Sequence, residues 1–299
     1  MYVVLGASGN TGHVVANTLL ASGQKVRVVG RNSTHLQPLA AKGAETFIAD
    51  VTDAGALAKA FHQADSAYVM IPPHPASTDP LGYANRVSDA IVAAVQSAGI
   101  KNVVALSSIG ADKASGTGPV LGLYSLEQKL NQITSANVLH LRAGYFMENT
   151  LPQANAIRQM GSVATPVRSD LKLPMIATRD IGNAAADALL HPSFHGKQTR
   201  ELLGQRDLTY TEVATIIGQA IGKPDLKYVQ APDDQFRAVL VQMGMSDQFA
   251  RLLLEMTTAL NSGYMRALEP RASQNTTPTS YETFVAESFV PAYQQQAAA

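Results

Sequence analysis

Six short apolar runs alternate with helix-like segments through the first half of the chain, and this alternation limits the possible folds more than any other feature. Residues 2–5, 25–29, 45–49, 66–71, 102–106 and 137–141 read as strands. Residues 13–21, 54–62, 80–98 and 121–135 carry helical spacing between them. A helix after each strand returns the chain to the same edge, so successive strands must pair in parallel. Strands that are apolar throughout need cover on both faces. The expected class is α/β, a doubly wound parallel sheet, with ligands at the carboxyl ends of its strands.

The first of those strand ends is the most distinctive. Gly6, Ala7, Ser8, Gly9, Asn10, Thr11 and Gly12 follow the opening strand directly and lead into a helix. Glycine at 6 permits a sharp turn, glycine at 9 a close approach of backbone to ligand, and glycine at 12 close packing of helix on strand. A helix N-terminus beside such a turn offers unpaired N–H groups to a phosphate. Ser8, Asn10 and Thr11 add side-chain donors. The strand, turn and helix together point to a dinucleotide pyrophosphate.

Arg31 bears on which dinucleotide. Where the second strand of such a sheet ends, an acidic residue would bind the ribose hydroxyls of NAD(H). Here Gly30 takes that place and Arg31 follows. A guanidinium pairs with a 2′-phosphate that a carboxylate would repel, so NADP(H) is favoured over NAD(H). Asp50, ending the third strand, either meets the adenine or caps the next helix. Ile71 and Pro72, ending the fourth, either flank the second ribose or simply stop the strand.

Composition narrows the remaining classes. Lys plus Arg and Asp plus Glu number 23 each, which leaves no net field to recruit nucleic acid or an anionic membrane. With no cysteine, disulfides, thiolate nucleophiles and cysteine-ligated metals are excluded. No apolar run reaches the roughly 20 residues of a membrane span. No signal peptide is expected ahead of the first strand, and a cytoplasmic location is expected. His74 and His140 lack partners at metal-ligand spacing, so no metal site is expected. The methionines at 243, 245, 256 and 265 read as core filling rather than a pocket lining.

Beyond about residue 150 the alternation breaks. Helices are expected at 151–160, 179–190, 210–221, 232–243, 246–260 and 280–289, with a strand at 226–229 and fraying at 294–299. Residues 1–150 form the expected nucleotide-binding domain, with 176–200 packing back on it. Residues 151–299 form a smaller, mostly helical C-terminal lobe over the strand ends, presented to a substrate or a partner.

Several stretches, in this order, resemble the NmrA-like branch of the atypical short-chain dehydrogenases/reductases. They are Gly6 to Gly12, Val29 to Asn32, Ala49 to Asp53, Val103 to Ala111, Leu141 to Asn149, Thr178 to Ile181 and Thr276 to Phe284. The resemblance implies a Rossmann core that binds NAD(P)(H), and adds Val51 beside Asp50 to the cofactor contacts. It places Ser107 and Ser108 where a substrate-binding serine can sit, or else as strand-end caps. Phe146, Met147 and Asn149 fall beside the nicotinamide as pocket walls. Some members of the family reduce quinones, dyes or iminium groups; others sense the redox state of the dinucleotide. The partner is accordingly either a small-molecule acceptor or a regulatory protein.

The chain departs from ordinary short-chain dehydrogenases at their Tyr-x-x-x-Lys pair. The nearest match is Tyr124 and Lys129, one residue too far apart. Five helical steps separate two side chains by about 140° around the axis. Tyr124 and Ser107 therefore remain the only candidates for a catalytic role, and Lys129 is expected to pair with a nearby acid.

Overall fold

The computed structural model describes residues 1–295. In chain order the first half forms β1 (Tyr2–Leu5), α1 (Asn10–Ala21), β2 (Val26–Gly30), α2 (Ser33–Ala40), β3 (Glu45–Ile48), α3 (Ala54–Phe61), β4 (Ser66–Val69), α4 (Pro80–Ala98), β5 (Asn102–Ser108), α5 (Val120–Asn131) and β6 (Asn137–Ala143). The second half adds β7 (Tyr145–Phe146), α6 (Gln153–Met160), β8 (Ser162–Thr165), β9 (Leu173–Ile176), α7 (Thr178–Leu190), β10 (Lys197–Leu202) and β11 (Arg206–Leu208). It continues with α8 (Tyr210–Ala220), β12 (Lys227–Gln230), α9 (Asp233–Gln242) and α10 (Asp247–Asn261). Residues 296–299 of the tail expected to fray lie outside the described residues, whereas Gln294 and Gln295 complete a last helix, Val290–Gln295.

Seven strands make one parallel sheet, in the order β10-β6-β5-β4-β1-β2-β3. Helices cover both faces, as the uniformly apolar strands require. Leu57 of α3, Ile91 of α4 and Leu126 of α5 pack on one face. Val15 of α1, Leu36 of α2 and Ile181 of α7 pack on the other. This is the Rossmann-like doubly wound architecture. The two edge strands depart from this burial: β3, where Ile48 is half exposed, and the outer half of β10.

Two packing details hold the site's framework. α1 and α7 approach so closely that a Cβ on Gly182 would lie 2.6 Å from Val14 Cβ. α4 and α5 do the same at Gly122, where a Cβ would lie 2.6 Å from Ala84 Cβ. Glycine at these helix positions sets the spacing between helices.

The C-terminal part is helical as expected but also carries two small sheets, β11-β9-β7 and β12-β8. The strand expected at 226–229 is β12, whereas β7, β8, β9 and β11 have two to four residues, too few for a period-2 pattern to register. β10 went unanticipated for another reason. Its outer half, Lys197 to Arg200, is polar because it forms the other edge of the main sheet beside β6. α2 contains Pro38 and buries only Leu36 and Leu39, so its pattern is weak. Asn32 nevertheless caps it, accepting from the Thr34 N–H at 2.9 Å.

Candidate functional site

The glycine turn departs from β1 with Gly6 at φ 65°, the left-handed region that favours glycine. Gly12 is held against it. A Cβ there would lie 2.3 Å from the Gly6 carbonyl oxygen and 2.9 Å from that of Leu5. The N-terminus of α1 is thereby pressed onto the strand end. α2, α3, α4, α8 and α10 each have a side chain capping their first turn, whereas the cap of α1 is Gly9, which provides none. The first N–H groups of α1 stay available to an anion. Thr11 is an exception among the expected donors. Its hydroxyl accepts from buried Tyr68 at 2.9 Å and faces the sheet.

A mostly apolar cavity of about 650 Å³ starts at this turn. Gly6, Gly9, Asn10 and Thr11 line it, as do Ile71 and Pro72 after β4. Ala7 and Gly12 are buried beneath the turn and Ser8 is exposed beyond it. Ser107, Ser108, Phe146 and Asn149 line the cavity further along. Phe249, Leu253 and Met256 of α10 close it from above, so Met256, expected to fill the core, lines the pocket instead, as does Met265. The loop after β4 and the start of α10 are joined directly. The Ser246 N–H donates to the Pro75 carbonyl at 2.9 Å, and its hydroxyl to the Ser77 carbonyl.

Four expected site residues are placed differently. Met147 is 1% exposed, packs in the C-terminal core and is absent from the cavity wall. Val51 likewise belongs to the sheet's core, so only its backbone is left for a ligand. Tyr124 does not reach the cavity either, although its neighbours Gly122 and Leu123 do. α5 is an unbroken helix, so Tyr124 and Lys129 point apart, and Lys129 pairs with Asp89 of α4 at 2.6 Å. Ser107 lies in the wall, but its hydroxyl donates to buried Glu127 at 2.6 Å. Glu127 also accepts two bonds from Arg142, at 2.9 and 2.6 Å. Ser107 and Arg142 are register partners on β5 and β6, so both point to the same carboxylate. Donating these hydrogen bonds to Glu127 raises the Arg142 pKa. Ser107 is thus part of a buried framework, whereas Ser108 donates only to the neighbouring Ile109 carbonyl.

Arg31 and Asp50 sit at adjacent strand ends, outside the cavity wall and exposed. Among the described residues Arg31 makes no hydrogen bond or ion pair. Asp50 accepts from the Thr52 hydroxyl and N–H at 2.7 and 2.8 Å. These bonds, with the charge of Arg31, hold its carboxyl below the usual range, while burial opposes them. His74 and Tyr83 line the cavity and meet edge to face, their ring centroids 5.0 Å apart. His140, by contrast, is buried in β6 beside Asn131, and burial lowers its pKa to about 4. No cluster of residues able to hold a metal occurs among the described residues.

The sequence reading missed Glu148, Thr178, Tyr145 and the α10 side chains. Glu148 accepts from the Thr178 N–H at 3.0 Å and caps α7 across the cavity wall. Tyr145 also lines the cavity, its hydroxyl bonded to that of Tyr210 at 2.9 Å, and burial raises its pKa. A capping acid 30 residues from its helix leaves no local pattern. The amphipathic pattern of α10 predicted a buried face without saying what it would cover.

Sheet order, strand-end cavity and glycine turn define a Rossmann-type protein. The model of the NmrA-like family matches residues 2–286, and the chain belongs to that family. It is 27% identical over 267 residues to an NAD(P)H azoreductase from Xenophilus azovorans, covering 89% of each chain. It superposes on an NADPH-dependent quinone oxidoreductase from Escherichia coli, solved with NADPH, with TM-score 0.78 and 25% identity, covering 97% of this chain and 99% of that one. A Citrobacter triphenylmethane reductase complexed with NADP(H) shares the fold at TM-score 0.80 and 20% identity, covering 95% of this chain and 98% of that one. No described helix is long and apolar enough to cross a membrane.

Proposed function

We propose that this chain binds NADPH and reduces a quinone-like or similarly conjugated acceptor. The observation that carries this reading is the cavity itself. It runs from a glycine turn fit for a pyrophosphate to a largely apolar chamber, and no lysine lines it. The uncapped α1, pressed onto the end of β1 at Gly12, suits the phosphates. The azoreductase and quinone oxidoreductase relatives support the same direction.

The nicotinamide, when bound, supplies a hydride to an acceptor whose conjugation takes up the electron pair. The protein's share is binding, orientation and exclusion of water. The turn holds the pyrophosphate, and Ile71 and Pro72 flank the path between the two nucleosides. Phe146, Asn149, Leu253 and Met256 form the acceptor chamber. Residues 1–150, with 176–200, form the cofactor-binding unit, and the remainder completes the acceptor side.

Absorbance at 340 nm, followed with NADPH and a panel of quinones and azo dyes, tests the reading. Acceptor-dependent oxidation is expected. Tyr124→Phe and Lys129→Met should leave the rate nearly unchanged, without the roughly 10²- to 10⁴-fold loss that follows removal of a general acid. A protein that binds NADPH yet oxidises it with none of these acceptors would instead act as a dinucleotide sensor.

Arg31 selects the phosphorylated cofactor on this reading. Arg31→Ala should weaken NADPH binding roughly ten- to hundredfold, the worth of a charge-assisted arginine–phosphate contact, and leave NADH binding almost untouched. Equal losses for the two cofactors, measured by titration, would remove the 2′-phosphate role.

A further inference from the structure

A second cavity, of about 330 Å³, adjoins the first. Ile109, Leu260 and Met265 belong to the walls of both. Ile109 and Leu260 are branched side chains set in β5's exit and in α10. Met265 differs from them. It is unbranched, with three rotatable bonds, and is the most adaptable of the three.

Its position is built in. A Cβ on Gly110 would lie 2.7 Å from Met265 Cγ and 2.8 Å from its Cε. Gly110 has φ 86°, a conformation that also favours glycine. The thioether therefore fills a space that the absent side chain leaves open. The backbone around it is fixed from both sides. The Met265 N–H donates to the Ala259 carbonyl at 2.9 Å, and buried Glu201 accepts from the Leu268 and Glu269 N–H groups at 2.9 Å each. What can move at this point is one side chain rather than the loop.

Beyond Met265 the second chamber has an apolar floor of Leu171, Leu173, Pro174 and Leu203. Its outer rim is charged: Lys172, Arg266 and Glu269 stand exposed there, and Arg271 pairs with Asp207. We propose that Met265 divides one elongated acceptor site into two chambers and sets how long an apolar arm the acceptor can carry. The conjugated ring occupies the chamber under α10, and a linear apolar arm passes Met265 onto the floor of the second. The chemistry of the ring rests on the reductase reading, but the division between chambers is a property of binding.

Quinones with unbranched alkyl arms of rising length, titrated calorimetrically into the full chain loaded with NADP⁺, test this without turnover. A methylene that becomes fully buried tightens binding roughly fourfold. In the wild type this gain stops once the arm fills the first chamber. In Met265→Ala it continues for further methylenes, with NADP⁺ affinity unchanged. Met265→Val, which keeps more of the wall should the alanine variant not fold, shows a smaller gain of the same sign. Leu171→Trp fills the second chamber and cancels the gain when combined with Met265→Ala. Identical length profiles for the wild type and the Met265 variants would overturn the proposal. So would a gain that survives Leu171→Trp, or a wild type that binds none of the quinones. If the profiles split as stated but NADPH is not oxidised by any quinone, the reductase reading falls and the partition stands. Turnover with identical profiles removes the partition alone.

Discussion

A Gly12→Ala variant is expected to lose NADPH binding and much of its stability. The added Cβ would lie 2.3 Å from the Gly6 carbonyl oxygen, 2.6 Å from its carbon and 2.9 Å from the Leu5 carbonyl oxygen. All three are backbone atoms, so no rotamer change relieves the clash. Either α1 lifts off the sheet or the end of β1 shifts, and both displace the N–H groups proposed to hold the phosphates. Forcing extra volume into a packed site costs about 1–3 kcal/mol, and contacts with backbone belong at the upper end. Gly9→Ala is the internal contrast. Its Cβ would meet one atom, the Gly6 oxygen, at 3.3 Å, a contact that a few tenths of an ångström relieve. That variant should fold normally with a milder loss of affinity. Thermal unfolding and cofactor titration of the pair separate the two cases. Wild-type affinity in Gly12→Ala would show that the turn is not the phosphate site.

Glu127→Ala should destabilise the fold by about 3–5 kcal/mol, the cost of leaving a buried charge without its partner. Glu127 is 2% exposed and is the shared acceptor for Arg142 and Ser107. Its removal strands the Arg142 guanidinium between α5 and β6. Ser107→Ala removes one hydroxyl donor to that carboxylate, leaves its Arg142 partner in place and should cost about 1.5–3 kcal/mol, the worth of a hydrogen bond to a charged group. Chemical denaturation of the two variants ranks the effects. A Glu127→Ala loss no larger than that of Ser107→Ala would mean that water replaces the carboxylate in the mutant. Both variants also bear on chemistry. If Ser107 serves the framework alone, acceptor reduction by Ser107→Ala should fall no further than its stability explains.

The amino-acid sequence by itself determined the scaffold and the glycine turn at its first strand end. Six apolar runs with helices between them can pair only as a parallel sheet, and both faces are covered as their composition required. Gly6, Gly9 and Gly12 announced the tight turn into α1 because each answers a local backbone demand within a dozen residues. The 140° between Tyr124 and Lys129 was likewise a property of one helix, and that helix is intact. Local rules suffice wherever the determining contacts lie within one element.

Tertiary structure decided everything that depends on which distant side chain arrives. Ser107, which the sequence offered as a substrate contact, is claimed by Glu127, 20 residues away. Met147 sits between pocket neighbours in sequence, yet its own side chain turns into the core. The wall over the cavity comes from α10, tied by Ser246 to the Pro75 carbonyl 171 residues upstream. Periodicity reports that a face will be buried, not against what. The turn could therefore be read from its own residues, whereas the chamber above it exists only once α10, β7 and the segment after β4 are brought together.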